Sequence, residues 1–158
     1  EQELVHIDLG NSESWKLMKE NDLNIESEVG TWVHYALSLM KKKEDFDWVS
    51  VKMKSLIEPY LWSEFSELWS AVQQKLASDD LWNLAFSPQA SPFPEMEIVD
   101  ENGQFKRIDR LVEIDGKWYL FEFKTGEARK EHQKQLEFYQ KTLQQCNVNL
   151  ENAQVLYV

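Results

Sequence analysis

The chain has 158 residues and a mass of 18.8 kDa, which is the usual length of one domain. It is 42% hydrophobic, so it has enough apolar side chains to bury a core. No apolar run approaches the roughly eighteen residues of a membrane span, and no signal-peptide pattern opens the chain, so we expect a cytoplasmic protein. A single cysteine, Cys146, excludes an internal disulfide, a four-cysteine zinc site and a cysteine-ligated iron–sulfur cluster.

The formal net charge is −11, and it is unevenly distributed along the sequence. Residues 1–104 contain eight Lys or Arg and twenty Asp or Glu, whereas residues 105–158 contain nine and eight. Taken as a whole, the charge argues against nucleic-acid binding, because phosphate contacts need a basic surface. That argument applies to the first two thirds of the chain and not to the last third.

The first part of the chain is predicted to be mainly helical. Residues 1–28 have the pattern of a short strand or loop followed by a weakly helical stretch around Trp15, Leu17 and Met18. Apolar residues at helical spacing predict a helix over 29–43, with Lys41-Lys42-Lys43 at its negative end. A second helical region covers 47–77, and Pro59 is expected to break or kink it.

The last part of the chain is predicted to contain a sheet. The turn region Ser87–Pro94 precedes strands over 94–100, 105–114 and 117–124, then a helix over 127–145 and a strand over 153–158. Asp115-Gly116 is a strong two-residue hairpin signal. This order of elements predicts an α/β sandwich around a small mixed sheet.

The predicted hairpin brings two acidic side chains together. If Asp115 and Gly116 form the loop, Asp109 lies opposite Glu122, and Lys124 lies on the same face. Two facing carboxylates repel, so a proton, a cationic side chain or a divalent metal ion must offset them. The simplest alternative is that Lys124 or Arg107 neutralises the acids of a surface hairpin.

Three further features accompany these carboxylates. His34 lies on the otherwise apolar first helix, where a core histidine is the commoner interpretation. Gln135 and Tyr139 are four residues apart and so share one face of the last helix. The same region is the most basic of the chain, through Arg129, Lys130, Lys134 and Lys141.

Together these residues form an ordered set of motifs: Gly30-x-x-x-His34, Glu95, Arg107-Ile108-Asp109, Phe121-Glu122-Phe123-Lys124-Thr125-Gly126 and Gln135-x-x-x-Tyr139. The set resembles the RecB-like branch of the PD-(D/E)XK nuclease superfamily, especially the nuclease domains of RecB and AddA helicase–nucleases. The resemblance covers residues 28–158. It departs from the family pattern at Lys106, where glycine is frequent, at Glu28-Val29, where a basic residue is common, and at Glu122, where aspartate is more usual.

The resemblance implies a restriction-endonuclease-like core and a Mg²⁺-dependent DNA nuclease in which Mn²⁺ substitutes. The implied metal ligands are His34, Asp109, Glu122 and the main-chain carbonyl of Phe123, with Glu95 as an accessory group and Glu97 as the competing choice. Lys124 would orient or activate the attacking water, and Gln135 and Tyr139 would position the phosphate backbone. The expected products carry 5′-phosphate and 3′-hydroxyl ends, and the single cysteine excludes the iron–sulfur members of the branch as templates.

The resemblance also implies a domain context. We expect one nuclease domain over 1–158, with a mainly helical portion at 1–92 and the catalytic sheet and helix at 93–158. The sequence contains no Gly-rich phosphate loop, so a helicase motor would lie in another part of the protein or in a partner subunit. The alternatives are a free-standing phage-type exonuclease and a non-catalytic module that binds DNA or a helicase.

Overall fold

The computed structural model describes residues 25–158, so the expectations for Trp15, Leu17 and Met18 lie outside the described residues. The helices are α1 (Ile25–Leu39), α2 (Phe46–Leu56), α3 (Pro59–Ser78), α4 (Asp80–Ala85) and α5 (Lys130–Gln145), with a 3₁₀ turn at Lys43–Asp45. The strands are β1 (Ser91–Val99), β2 (Phe105–Ile114), β3 (Lys117–Lys124) and β4 (Leu150–Tyr157). None of the helices found in residues 25–158 is long and apolar enough to cross a membrane.

The four strands form one mixed sheet in the order β1-β2-β3-β4. β1, β2 and β3 are antiparallel neighbours, and α5 carries the chain back so that β4 runs parallel to β3. Asp115 and Gly116 both have positive φ, at 52° and 77°, which is the geometry of the two-residue turn that their sequence predicts. Ile114 therefore pairs with Lys117 and Arg110 with Phe121, which confirms the predicted hairpin register.

Helices cover both faces of the sheet. On one face, α1 to α4 pack on the sheet through the buried side chains Val112, Phe121, Phe123 and Leu156. On the other face, α5 packs through Leu136, Tyr139 and Leu143 against Leu111 and Leu120. The result is the α/β sandwich with N-terminal helices that the order of elements predicts, and it is consistent with a restriction-endonuclease-like fold.

The element boundaries differ from the predicted ones where capping decides them. Pro59 breaks the predicted helical region 47–77 into two helices, as expected. It opens α3 at its first position, where a missing N–H is tolerated. The sequence prediction missed α4, whose start is fixed by the Asp79 carboxylate accepting the N–H groups of Leu81 and Trp82. α1 stops at Leu39, so Lys41–Lys43 lie beyond the helix rather than in its last turn.

β1 begins at Ser91, three residues before the predicted start, and includes Pro92 and Pro94. Both prolines are tolerated because β1 is an edge strand, where one side of the main chain pairs with no neighbour. The tryptophans divide between core and surface: Trp69 and Trp82 are buried, Trp62 is half-buried and Trp48 is exposed.

Candidate active site

The candidate site lies where α1 meets the middle of β2 and the end of β3. The backbone ladder of the hairpin stops at Arg110 and Phe121. At the next residues, Asp109 and Glu122, side-chain carboxylates replace main-chain carbonyls as the hydrogen-bond acceptors. The N–H of Asp109 donates to Glu122 Oε1 at 2.9 Å, and the N–H of Phe123 donates to Asp109 Oδ2 at 2.8 Å. The two predicted carboxylates are therefore neighbours, each held by the main chain of the opposite strand.

His34 reaches this pair from α1. Its Nδ1 lies 2.9 Å from the carbonyl oxygen of Gly30, one turn earlier in the helix. Its Nε2 lies 2.7 Å from the carbonyl oxygen of Phe123 and 3.5 Å from Asp109 Oδ2. Both ring nitrogens thus face carbonyl oxygens, an arrangement that suits the imidazolium ion because it has two N–H donors.

The protonation of the site follows from this geometry. Burial alone would lower the pKa of His34, but the Asp109 carboxylate and the hydrogen bonds around the ring raise it to about 10. Burial disfavours the charged form of Asp109, yet the positive charge of His34 and its hydrogen bond hold the pKa of that carboxyl below its ordinary value. Burial and the charge of Asp109 raise the pKa of Glu122 well above its ordinary value. The positive charge of His34 therefore offsets the negative charge of Asp109, and the raised pKa of Glu122 favours the neutral form of that carboxyl group.

This arrangement answers the question that the facing carboxylates raised. The cationic partner of Asp109 is His34, whereas Arg107 turns to the acids of β1. Lys124 follows Phe123 on β3. Its positive charge favours the ionised forms of Asp109 and Glu122, although the net shift of the Glu122 pKa is upward. His34 is half-buried and both of its ring nitrogens have main-chain partners, as the commoner interpretation expects; its role as a metal ligand stays a prediction.

Glu95 and Glu97 occupy different positions on β1. The Glu95 carboxyl lies 3.8 Å from Arg107, and burial together with the charge of Asp109 raises its pKa to about 7. Glu97 is half exposed and accepts a 3.0 Å hydrogen bond from Arg107 Nη2. Of the two acids, Glu95 is the one that interacts electrostatically with the His34–Asp109 pair.

Gln135 and Tyr139 lie on the face of α5 that packs on the sheet. The Gln135 side-chain amide donates to the Tyr139 hydroxyl at 3.0 Å, and that hydroxyl donates to the carbonyl of Arg107 at 3.2 Å. Burial and the charge of Glu122 raise the pKa of Tyr139. The two side chains are brought next to the acidic cluster, and their hydrogen bonds join α5 to β2; contact with phosphate stays a prediction.

An open cleft of about 340 Å³ leads to His34. Its walls come from the first turns of α1 and from Thr125, which follows β3. The two walls meet closely at Gly30, where a Cβ atom would lie 3.2 Å from Thr125 Oγ1. Gly30 and Thr125 were part of the sequence motifs, but their contact could not be read from spacing.

The donor set suits a divalent cation. An imidazole nitrogen, two carboxylates and a main-chain carbonyl are ligands that Mg²⁺ or Mn²⁺ accept in proteins. No three His, Cys, Asp or Glu side chains within residues 25–158 already form a metal-binding group. The side chains that face one another directly are His34 and Asp109, with the Phe123 carbonyl as the third donor. The chemistry of these donors therefore fits the implied metal, and the protons on His34 and Glu122 would leave when it binds.

Sequence comparison supplies the family. The model of the PD-(D/E)XK nuclease superfamily matches residues 12–158. The chain is a member of the PD-(D/E)XK nuclease superfamily. No curated protein sequence matches it significantly. Membership in this nuclease superfamily, whose members typically use divalent metal ions, suggests nuclease activity and implies DNA binding.

Proposed function

We propose that this chain is a DNA nuclease domain that hydrolyses phosphodiester bonds with Mg²⁺, for which Mn²⁺ substitutes. The observation that carries the proposal is the convergence of His34 Nε2, the Asp109 carboxylate and the Phe123 carbonyl beside Glu122 and Lys124. Clustered acids with shifted pKa values are typical of functional sites, and a divalent cation would replace the protons of this cluster.

Each residue has a distinct role in this proposal. His34, Asp109, Glu122 and the carbonyl of Phe123 hold the cation, and Glu95 supports it from β1. The bound cation would supply Lewis-acid stabilisation of the phosphoryl centre and lower the pKa of the attacking water. Lys124 orients that water and stabilises developing negative charge, while Gln135 and Tyr139 position the phosphate backbone.

The domain context is also part of the proposal. We assign the chain to a RecB/AddA-type DNA repair and recombination protein of the cytoplasm, with exonuclease activity and a helicase domain or partner subunit. The support is the order and spacing of the motifs from Gly30 to Tyr139. A free-standing exonuclease would have a full gene product without a helicase domain. A non-catalytic module would show no metal-dependent cleavage.

The test is cleavage of end-labelled single- and double-stranded DNA by the purified chain with Mg²⁺, Mn²⁺ or EDTA. Asp109→Ala, Glu122→Ala and Lys124→Ala should each reduce cleavage by about a hundredfold or more, because each removes a charged group from the reacting centre. Two matched controls lie on the same strands outside the site: Glu113→Ala on β2 and Lys117→Ala on β3. Both should cleave as the wild type does.

Circular dichroism and Mn²⁺ calorimetry complete the test. Wild-type protein should bind Mn²⁺, and Glu122→Ala should lose that binding while remaining folded. Undiminished Mg²⁺-dependent cleavage by Asp109→Ala would overturn the site assignment. Metal binding without cleavage of either DNA would favour the non-catalytic module.

A further inference from the structure

Arg110 is a buried charge outside the proposed metal site. Its side chain is fully buried, and its guanidinium carbon lies 4.1 Å from the centre of the Phe86 ring. A buried guanidinium loses its hydration, which several kcal/mol of other interactions must offset. Within residues 25–158 it forms no direct ion pair with a carboxylate, so its stabilisation comes from hydrogen bonds, from the ring and from the longer-range charge of Asp45.

Those hydrogen bonds all go to main-chain carbonyl groups at the ends of helices. Nη1 donates to Met40 and Nη2 to Lys41, just beyond the C-terminus of α1, each at 2.7 Å. Nε donates to Ala85, the last residue of α4, also at 2.7 Å. The last carbonyls of a helix have no partners within it and carry partial negative charge, so a guanidinium suits them.

The position of Arg110 in β2 relates these bonds to the proposed site. Arg110 follows Asp109 directly in β2, and both side chains reach α1. Met40 lies six residues after His34, about 9 Å along the helix axis. Two neighbouring residues of β2 therefore hold α1 at two separated points: Asp109 contacts His34, and Arg110 contacts the end of the helix.

Apart from the contacts of His34 with Asp109 and with the Phe123 carbonyl, α1 packs on the sheet through apolar side chains. Val33 and Leu37 belong to the same buried cluster as Val112. Apolar contact is non-directional and permits a helix to slide or rotate slightly on a sheet. Three short, directed hydrogen bonds from one planar group do not permit this, because the guanidinium fork fixes both distance and orientation.

We propose that Arg110 is a positioning residue that fixes α1 on β2 and thereby sets the separation of His34 and Asp109 at the metal site. This inference rests on the proposed function, since it concerns the metal affinity of that site. It assigns Arg110 no contact with metal or DNA. Its effect is transmitted through the carbonyls of Met40 and Lys41 and the main chain of α1.

Two variants separate positioning from mere folding. Arg110→Lys keeps the charge but loses the planar fork, and Arg110→Met keeps the approximate volume without a charge to bury. Leu76→Ala on α3 is the matched control, because it removes buried packing without removing any hydrogen bond of Arg110. Each protein is measured by urea unfolding without metal, by Mn²⁺ calorimetry and by the Mn²⁺ concentration dependence of cleavage.

We expect both Arg110 variants to raise the Mn²⁺ dissociation constant by about tenfold or more, and saturating Mn²⁺ to restore part of the cleavage rate. Leu76→Ala should lower the unfolding midpoint but keep the Mn²⁺ dissociation constant within about twofold of wild type. Folded Arg110 variants with wild-type Mn²⁺ affinity would overturn the inference. Failure of both variants to fold would also count against it, because Arg110 would then be a folding determinant. If wild-type protein itself bound no Mn²⁺, the proposed function would fail instead.

Discussion

Glu95 combines a strained main chain with a buried carboxyl group at the candidate site. Its φ is +54°, a left-handed conformation that costs a non-glycine residue about 1–2 kcal/mol. No turn requires this conformation, since Glu95 lies inside β1 between Pro94 and Met96, both of which pair with β2. Strain of this kind concentrates at functional sites, where the surrounding fold enforces it.

Because Glu95 is strained, its replacement by glycine should relieve the strain while removing the carboxylate that supports activity. Glu95→Gly should be more stable than Glu95→Ala by about 1 kcal/mol, because only glycine relieves the positive φ and its greater flexibility offsets part of the gain. Both variants should lose cleavage activity to a similar extent, because both lack the carboxylate. Urea denaturation and Mg²⁺-dependent cleavage measure the two effects. Equal stability of the two variants would show that the main chain is unstrained.

Among the elements, α1 owes its close approach to the end of β3 to a residue without a side chain. Gly30 faces Thr125 so closely that an alanine Cβ would lie 3.2 Å from the threonine hydroxyl. Alanine is nevertheless the better helix former by about 1 kcal/mol. The close contact with Thr125 opposes the higher helix propensity of alanine at this position. The net effect of Gly30→Ala on stability therefore depends on how far Thr125 can move.

A double-mutant cycle isolates this contact. Gly30→Ala alone should change the free energy of unfolding little and should reduce cleavage, because α1 or Thr125 must shift beside His34. In a Thr125→Ala background the same substitution should stabilise the protein by about 1 kcal/mol, giving a coupling energy above about 0.5 kcal/mol. Additive effects of Gly30→Ala and Thr125→Ala on the free energy of unfolding would mean that these two residues are not in tight contact.

The elements also show which features a sequence can reveal. The β2–β3 hairpin, with Asp109 near Glu122, could be predicted because Asp115-Gly116 fixes a register between residues close in sequence. α4 was missed because a six-residue helix depends on one cap, Asp79, more than on periodicity. The three carbonyl contacts of Arg110 join β2 to segments 25, 69 and 70 residues away. The sequence around Arg110, Ile108-Asp109-Arg110-Leu111-Val112, gives no indication of these partners.

At the scale of the whole molecule, the net charge of −11 determines the expected strength and salt dependence of DNA binding. The acidity belongs mostly to residues before 105, whereas Arg129, Lys130 and Lys134 cap or open α5 next to the loop after β3. A basic region of this size on an acidic chain should bind phosphates weakly, with strong dependence on ionic strength.

Binding of labelled single-stranded DNA in EDTA, at salt concentrations between about 50 and 200 mM, tests this expectation. The affinity should fall steeply over that range, because each phosphate contact releases counterions. Lys130→Glu/Lys134→Glu should weaken binding by about tenfold at low salt. The control Lys42→Glu/Lys52→Glu changes the net charge equally on exposed lysines before β1 and should have less than about a twofold effect. Tight binding at physiological salt, or equal losses in both pairs, would contradict the prediction.

The ligands of the proposed site come from very different distances along the chain. The hydrogen bond between Asp109 and Glu122 joins residues 13 apart, whereas the bond between His34 and Phe123 joins residues 89 apart. By the logarithmic dependence of loop-closure entropy on length, the longer closure is disfavoured by about 2 kcal/mol more than the shorter one. The acidic hairpin is thus the part of the site that can form locally and early, while the histidine joins it only when α1 has docked. A chain in which α1 detaches would keep its carboxylates in register and still lack a complete metal site, so release of one helix is enough to switch the site off.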